Sequence, residues 1–182
     1  ILGSRIDNLA MCHASAAALL ESGRSASTKV VCLFNSEEVG SKTLNGAGSN
    51  LASSTLERIC PGREELLRAL ALSMQVSADG AHAVHPNWAE RHDSRARPVI
   101  NGGPVIKVNA QERYTSTSDT SAYFRLCAEG AGVDIQHFVS RNDMPCGSTI
   151  GPLSAAELGI RTVDVGNPML SMHSIRETGG AR

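Results

Sequence analysis

Aromatic residues are scarce in this 182-residue chain: three phenylalanines, two tyrosines and one tryptophan, 3% of the whole. So few stacking faces argue against a surface that binds single-stranded nucleic acid. An excess of charge of either sign is lacking too. Seventeen basic residues face 18 acidic ones, for a formal net charge of −1, so no strong field draws the chain to nucleic acid or anionic lipid. No apolar run approaches the ~20 residues that span a bilayer, and no charged segment followed by an apolar one marks a secretory signal. The five cysteines (Cys12, Cys32, Cys60, Cys127 and Cys146) are odd in number and never spaced Cys-x-x-Cys, which excludes a zinc ribbon or a redox motif. Reduced thiols in a cytoplasmic domain are expected. There is no repeat, no low-complexity tract and no His-x-x-x-His. The chain opens Ile-Leu-Gly-Ser without a methionine and reads as a piece of a longer protein.

What is present is an alternation of helical and strand-like patterns over a length that suits one domain. Ala10 to Leu20 is alanine- and leucine-rich and predicts a helix ended near Gly23, with Asp7 placed to cap its start. Lys29 to Phe34 predicts a buried strand. Glycine, asparagine and serine from Thr43 to Ser54 predict a loop, and Leu51 to Ile59 a short helix. Pro61 stands at the start of a further helix, with Leu66, Leu67, Leu70 and Met74 at helical spacing from Glu64 to Gln75. Trp88 to Arg97 reads as a solvated charged stretch. Val105 to Val108 predicts a strand carrying Lys107, an edge charge or a pocket group. Asp119 to Gly132 predicts a helix lined by Ala122, Phe124, Leu126 and Ala128, and Ile135 to Val139 another strand. Leu153 to Leu158 and Arg161 to Val165 predict a last helix and strand. Such alternation favours a sheet with helices on both faces.

The chemistry-bearing residues gather at strand ends and turns: Asp7, Glu37, Glu38, Asp79 and His173. Glu37-Glu38 alone is most simply a solvated acidic turn. At a strand end, however, neighbouring side chains point different ways, so one carboxylate can hold a metal while the other takes a proton from water. Scattered acids and one imidazole converging at strand ends would form a dinuclear zinc-type ligand set. The stretch Ser77 to Asn87 holds Asp79, His82 and His85, and Pro86 argues against a regular helix there. The glycine-rich loop Arg141 to Pro152, with Gly147 and Ser148, offers backbone N–H groups to a carbonyl or carboxylate.

Six blocks occur in order: Ser-Arg-Ile-Asp-Asn-Leu, Glu-Glu-Val-Gly-Ser, Ser-Ala-Asp-x-Ala-His-Ala-Val-His-Pro-Asn, Asn-Gly-Gly-Pro-Val-Ile-Lys, Cys-Gly-Ser-Thr-Ile-Gly-Pro and Met-His-Ser-Ile-Arg-Glu. From Arg5 to Glu177 the chain resembles the aspartyl aminopeptidase family of cocatalytic metallopeptidases. That resemblance implies a three-layer α/β/α sandwich with a central mixed, mostly parallel sheet. It implies two divalent ions, zinc foremost with manganese or cobalt as alternatives, and a peptide substrate with an acidic N-terminal residue. By the same resemblance Asp7 bridges the ions, Glu38 and His173 hold one, and Asp79 holds the other. Glu37 acts as general base, and Lys107 and Tyr114 meet the substrate's acidic side chain. A cis peptide after Asp7 and a homo-oligomer, a dodecamer in the family, are implied as well.

The chain also departs from that pattern. Asn35 and Ser36 stand before Glu37-Glu38 where the family has Asp then His or Asn, Gly80 replaces a larger residue after Asp79, and Gln111-Glu112 precedes Arg113-Tyr114 in place of the usual pair. No His-x-Asp occurs, although the family takes a histidine ligand and an orienting aspartate from one, and the inserted oligomerisation domain is missing. Residues 1–182 are therefore expected to form part of a catalytic domain, inactive alone. Two rival readings remain: a non-catalytic scaffold, and a two-metal carboxypeptidase or deacylase on the same fold.

Overall fold

Strand β6 (Arg161–Gly166) runs through the interior, buried from its second residue to its last. In this computed structural model, which describes residues 1–181, it lies between β2 (Met74–Ala78) and β4 (Val105–Val108), with β5 (Gln136–Val139) beyond β4. β2 runs parallel to β6, with Val76 opposite Val163, and β4 runs parallel to β5. β4 meets β6 antiparallel, with Ile106 opposite Val165. The sheet is therefore mixed and mostly parallel.

Alternation along β6 assigns its two faces. Val163 and Val165 pack with Ile106, joined by Met74, Val108, Ile135 and Phe124. Asp164 points the other way, where its Oδ1 accepts a hydrogen bond from Thr149 Oγ1 at 2.6 Å. Phe124 belongs to helix α4 (Ser118–Gly130), and Thr149 caps helix α5 (Ile150–Leu158), so the two helices cover opposite faces. Helices α1 (Ile6–Glu21), α2 (Leu51–Ile59) and α3 (Arg63–Leu72) complete the helical complement among the described residues. The architecture is the layered α/β class with a mixed sheet that the resemblance implies.

A second, smaller sheet has the order β1 (Leu2–Gly3), β8 (Glu177–Gly179), β7 (Pro168–Leu170), β3 (Ala81–His82). β8 is antiparallel to both of its neighbours, and β7 runs parallel to β3. The sequence signalled neither this sheet nor β2. Its strands are two or three residues long, too short for a period-2 pattern to register.

Several expectations are corrected. Lys29 to Phe34 forms no strand: Val30 and Leu33 are 50% and 59% exposed, and no described strand pairs with them. A strand exists only against a partner backbone, and apolar sequence alone does not provide one. The helix expected to Gln75 stops at Leu72, and Met74 and Gln75 open β2. It begins at Arg63, past Pro61, with Glu64 and Glu65 in its first turn, where carboxylates suit the helix dipole. The helix expected from Leu153 starts at Ile150, because the Thr149 hydroxyl accepts the Gly151 N–H and Pro152 tolerates a first turn. In α4 the inward face is Thr120, Phe124 and Ala128 at four-residue spacing, whereas Leu126 is exposed. Pro86 to Arg91 forms a 3₁₀ turn. Asp7 does not cap α1, for the capping position is Arg5 and Asp7 itself has non-helical φ and ψ. Lys107 is no edge charge: β4 is an inner strand and the side chain is 3% exposed.

Candidate metal centre

Four turns carry the candidate ligands. Asp7 lies just past β1, followed by a cis Asp7–Asn8 peptide. Glu37 and Glu38 occupy a single 3₁₀ turn, Glu37–Val39, between left-handed Ser36 (φ 62°) and Gly40 (φ 93°). The turn is tied down where Ser41 N–H donates to Ser36 O, and Asn35 N–H to Asn45 O, both at 2.9 Å. Asp79 follows β2. His173 follows β7 in a tight turn closed by Ser174 N–H donating to Ser171 O, with a left-handed backbone of its own (φ 68°).

These turns bring their side chains together. His173 Nε2 stands 3.0 Å from Glu38 Oε2 and 3.2 Å from Asp7 Oδ2. One ligand atom from each of the three residues lies within 4.8 Å of the others. The Asp79 carboxylate adjoins that of Asp7. Gly80 has a steric role here, since a Cβ added to it would fall 2.8 Å from Asp7 Oδ1. Asp7 Oδ1 is itself buried without a hydrogen-bond partner. An orphaned buried carboxylate oxygen, beside further carboxylates and an imidazole, fits a divalent cation, and oxygen and nitrogen donors of this kind suit zinc.

The electrostatics agree. Burial raises the Asp7 carboxyl above the ordinary carboxylate range, with Glu38 and Glu177 adding to the rise while Asp79 and His173 oppose it. Burial raises Asp79 as well, against the pull of the Lys107 ammonium. Glu37 is pushed up to about 7, first by burial and then by Asp79, Glu38 and Asp7, while Lys107 acts in the opposite sense. Metal-free, the cluster carries more negative charge than its surroundings stabilise.

Lys107 sits behind Asp79. Its Nζ donates to Gly80 O at 2.6 Å and stands 3.6 Å from Asp79 Oδ2. The ammonium also lies 5.4 Å from the centre of the Tyr114 ring, in cation–π range. Burial, with a hydrogen bond to Cys146, raises the Tyr114 phenol. The next two residues after Cys146, Gly147 and Ser148, are exposed, and the Ser148 hydroxyl donates to Arg113 O at 3.2 Å. Lys107, Tyr114 and the Cys146–Ser148 loop thus form one wall running outward from Asp79.

A cavity of about 750 Å³ lies to one side of this cluster. It meets the cluster only through Gly80 and Ile6 and contains none of the ligand side chains. Chemistry, not cavity size, locates the site.

Comparison with known proteins decides the family. The family model described as aminopeptidase I zinc metalloprotease (M18) matches residues 1–182. The chain belongs to the M18 family. A probable M18 family aminopeptidase 2 of Stutzerimonas stutzeri is 48% identical over 183 residues, covering 100% of this chain and 42% of that protein. The Pseudomonas fluorescens (strain SBW25) protein of the same description is also 48% identical, with the same coverage. Among solved structures, the Ape4 and Nbr1 complex superposes with a TM-score of 0.88 at 42% identity, over 98% of this chain and 36% of that one. Yeast aminopeptidase 1 gives 0.84 at 29% identity, over 98% and 42%. This M18 chain therefore spans about 42% of the length of the curated relatives it matches.

Two buried acids escaped the sequence reading. Glu177, 2% exposed, accepts the backbone N–H of Asp7 through Oε2 at 3.1 Å and that of His173 through Oε1 at 2.7 Å. Asp164, fully buried, accepts Thr115 N–H and Oγ1–H at 2.6 and 2.8 Å besides Thr149 Oγ1–H. It thereby joins the segment after Tyr114 to the start of α5. Asp164 sat in an apolar strand pattern, where an acid is rarely buried without donors, and that anomaly was its one legible signal.

Proposed function

We propose that the complete protein is a zinc-dependent aminopeptidase that removes N-terminal residues, aspartate and glutamate foremost, from peptides. The convergence of Asp7, Glu38 and His173 within 4.8 Å carries this reading. Asp7 would bridge two divalent ions, with Glu38 and His173 on one and Asp79 on the other. When bound, such ions supply Lewis acidity toward a carbonyl and lower the pKa of water. Glu37 takes the proton from the attacking water and returns it to the leaving amine. Without metal, burial first and then Asp79, Glu38 and Asp7 push this carboxyl up to about 7, which favours its taking up a proton, as a general base must. Lys107 keeps donor capacity beyond Gly80 O and Asp79, and would meet the acidic side chain with Tyr114 beneath. Gly147 and Ser148 would line the entrance.

A further histidine ligand, its orienting aspartate and the domain that closes the pocket would come from parts of the protein outside these 182 residues. Self-assembly belongs to the same reading, since the S. cerevisiae mApe1 structure is described as a dodecamer. Five free cysteines favour a reducing, cytoplasmic setting. Among the described residues no helix is long and apolar enough to cross a membrane.

The test is zinc content beside hydrolysis of Asp-, Glu- and Leu-initiated peptides by the complete protein. Bound zinc with faster release of Asp and Glu supports the reading. A zinc-loaded protein that cleaves only C-terminal residues or acyl groups would move it to a different reaction on the same fold. Protein that neither binds zinc nor cleaves peptides is a scaffold.

A further inference from the structure

We propose that Glu177 is a positioning residue, whose carboxylate sets the spacing between the two arms that present Asp7 and His173. The inference rests on the metal reading given above. β8 is the inner strand between β1 and β7, and those neighbours lead directly into the two ligand turns. Gly3 pairs with Glu177, and Leu170 pairs with Thr178. One side chain at the start of β8 therefore stands where it reaches both turns. It uses one oxygen for each: Oε2 for the Asp7 N–H and Oε1 for the His173 N–H.

Three observations separate this from ordinary turn satisfaction. Both backbones that Glu177 grips are irregular, since Asp7 is non-helical within α1 and His173 is left-handed at φ 68°. A left-handed backbone is uncommon outside glycine, although histidine adopts it more readily than most residues, and here the Glu177 carboxylate receives its N–H. The task also needs two acceptors at once. A carboxylate offers them, while a glutamine amide offers one acceptor and turns two donors toward the other N–H. Finally, among the described residues no cationic side chain forms an ion pair with this buried carboxylate. Among the described residues its hydrogen bonds go to the two ligand-bearing backbones.

The experiment compares wild-type complete protein with Glu177→Gln. Zinc affinity is measured by chelator competition, and ligand geometry by the visible absorption of the cobalt(II)-substituted protein. Positioning predicts a folded variant whose zinc affinity falls roughly 10–100-fold, the range for lost partners of metal ligands, with an altered cobalt spectrum. A folded variant with wild-type affinity and spectrum overturns the proposal. Should Glu177→Gln fail to fold, Glu177→Asp keeps both oxygens one methylene short. It should show the same direction of change, and wild-type metal behaviour in it overturns the proposal. Failure of both variants to fold assigns Glu177 to general stability and likewise overturns it. A wild-type protein that binds no zinc is a different outcome, for then the metal reading falls and takes this inference with it.

Discussion

Glu37 and Glu38 share one 3₁₀ turn yet face different surroundings. Glu38 meets His173 at 3.0 Å, while Glu37 is half-buried and pushed up to about 7, first by that burial and then by the acids around it. Adjacent substitutions should therefore fail in different ways. Glu37→Gln in the complete protein should retain zinc and lose roughly 10²–10⁴-fold in rate. Glu38→Gln should lose zinc together with activity. Metal stoichiometry beside peptidase rate distinguishes them, and near-normal turnover in Glu37→Gln would remove it from the role of base. Lys107→Leu should reduce cleavage of Asp- and Glu-initiated peptides more than of Leu-initiated ones, by roughly 2–3 kcal/mol of discrimination. Equal loss on both would make Lys107 the fixed counter-charge of Asp79, a role its 3.6 Å separation also allows. At this scale the sequence was informative because carboxylates and imidazole are costly to bury without a purpose. It gave Glu177 no role of its own, since its carboxylate meets the Asp7 and His173 backbones only once β8 lies between β1 and β7.

Elements were legible where their signals were local. α4 was legible from its apolar residues between Asp119 and Gly132, and in the structure Thr117 and Thr120 cap each other's backbone N–H groups at its start, while α5 ends at left-handed Gly159 (φ 62°). Strands whose identity depends on a distant partner were not legible. Met74 and Gln75 continue the helical pattern of α3 in sequence, yet they open β2, which pairs with Arg161 to Val165. Val30 to Leu33 has the composition of a strand and lacks the pairing. At the end of β6 two backbone segments pass close together. A Cβ on Gly166 would fall 2.0 Å from Asp79 O and 2.9 Å from Ala81 N. These are backbone atoms that cannot swing aside, so Gly166→Ala should push the Asp79 turn away from Asp7. A loss of roughly 1–3 kcal/mol in unfolding free energy is expected, with weakened zinc binding beside it. Denaturant melts and zinc titration of the complete protein check this. Unchanged zinc affinity would show that the turn yields without disturbing the ligand.

Across the whole molecule, one small sheet and one large one meet at the acids. The large sheet provides a buried floor through β6 and carries Asp79 at the end of β2. The small sheet brings Asp7 and His173 in on strands of two and three residues. Strands so short bury little apolar surface and contribute little stability by themselves. Three acids crowd one imidazole there, with Asp7 and Asp79 both raised by burial. On the proposed metal reading, cations should therefore stabilise the fold as well as serve the reaction. Zinc at one hundred times its dissociation constant should stabilise the complete protein by about 2.7 kcal/mol per independent site, provided that the unfolded chain does not bind it. Thermal melts with zinc and with chelator measure the difference. The rise should be largely lost in Asp7→Asn, which removes the acid common to both proposed sites, and retained in Lys107→Leu, whose side chain binds no metal. A melting temperature indifferent to zinc in the wild-type complete protein would mean that the cluster is held together without a cation, and the aminopeptidase reading would lose its chemical basis.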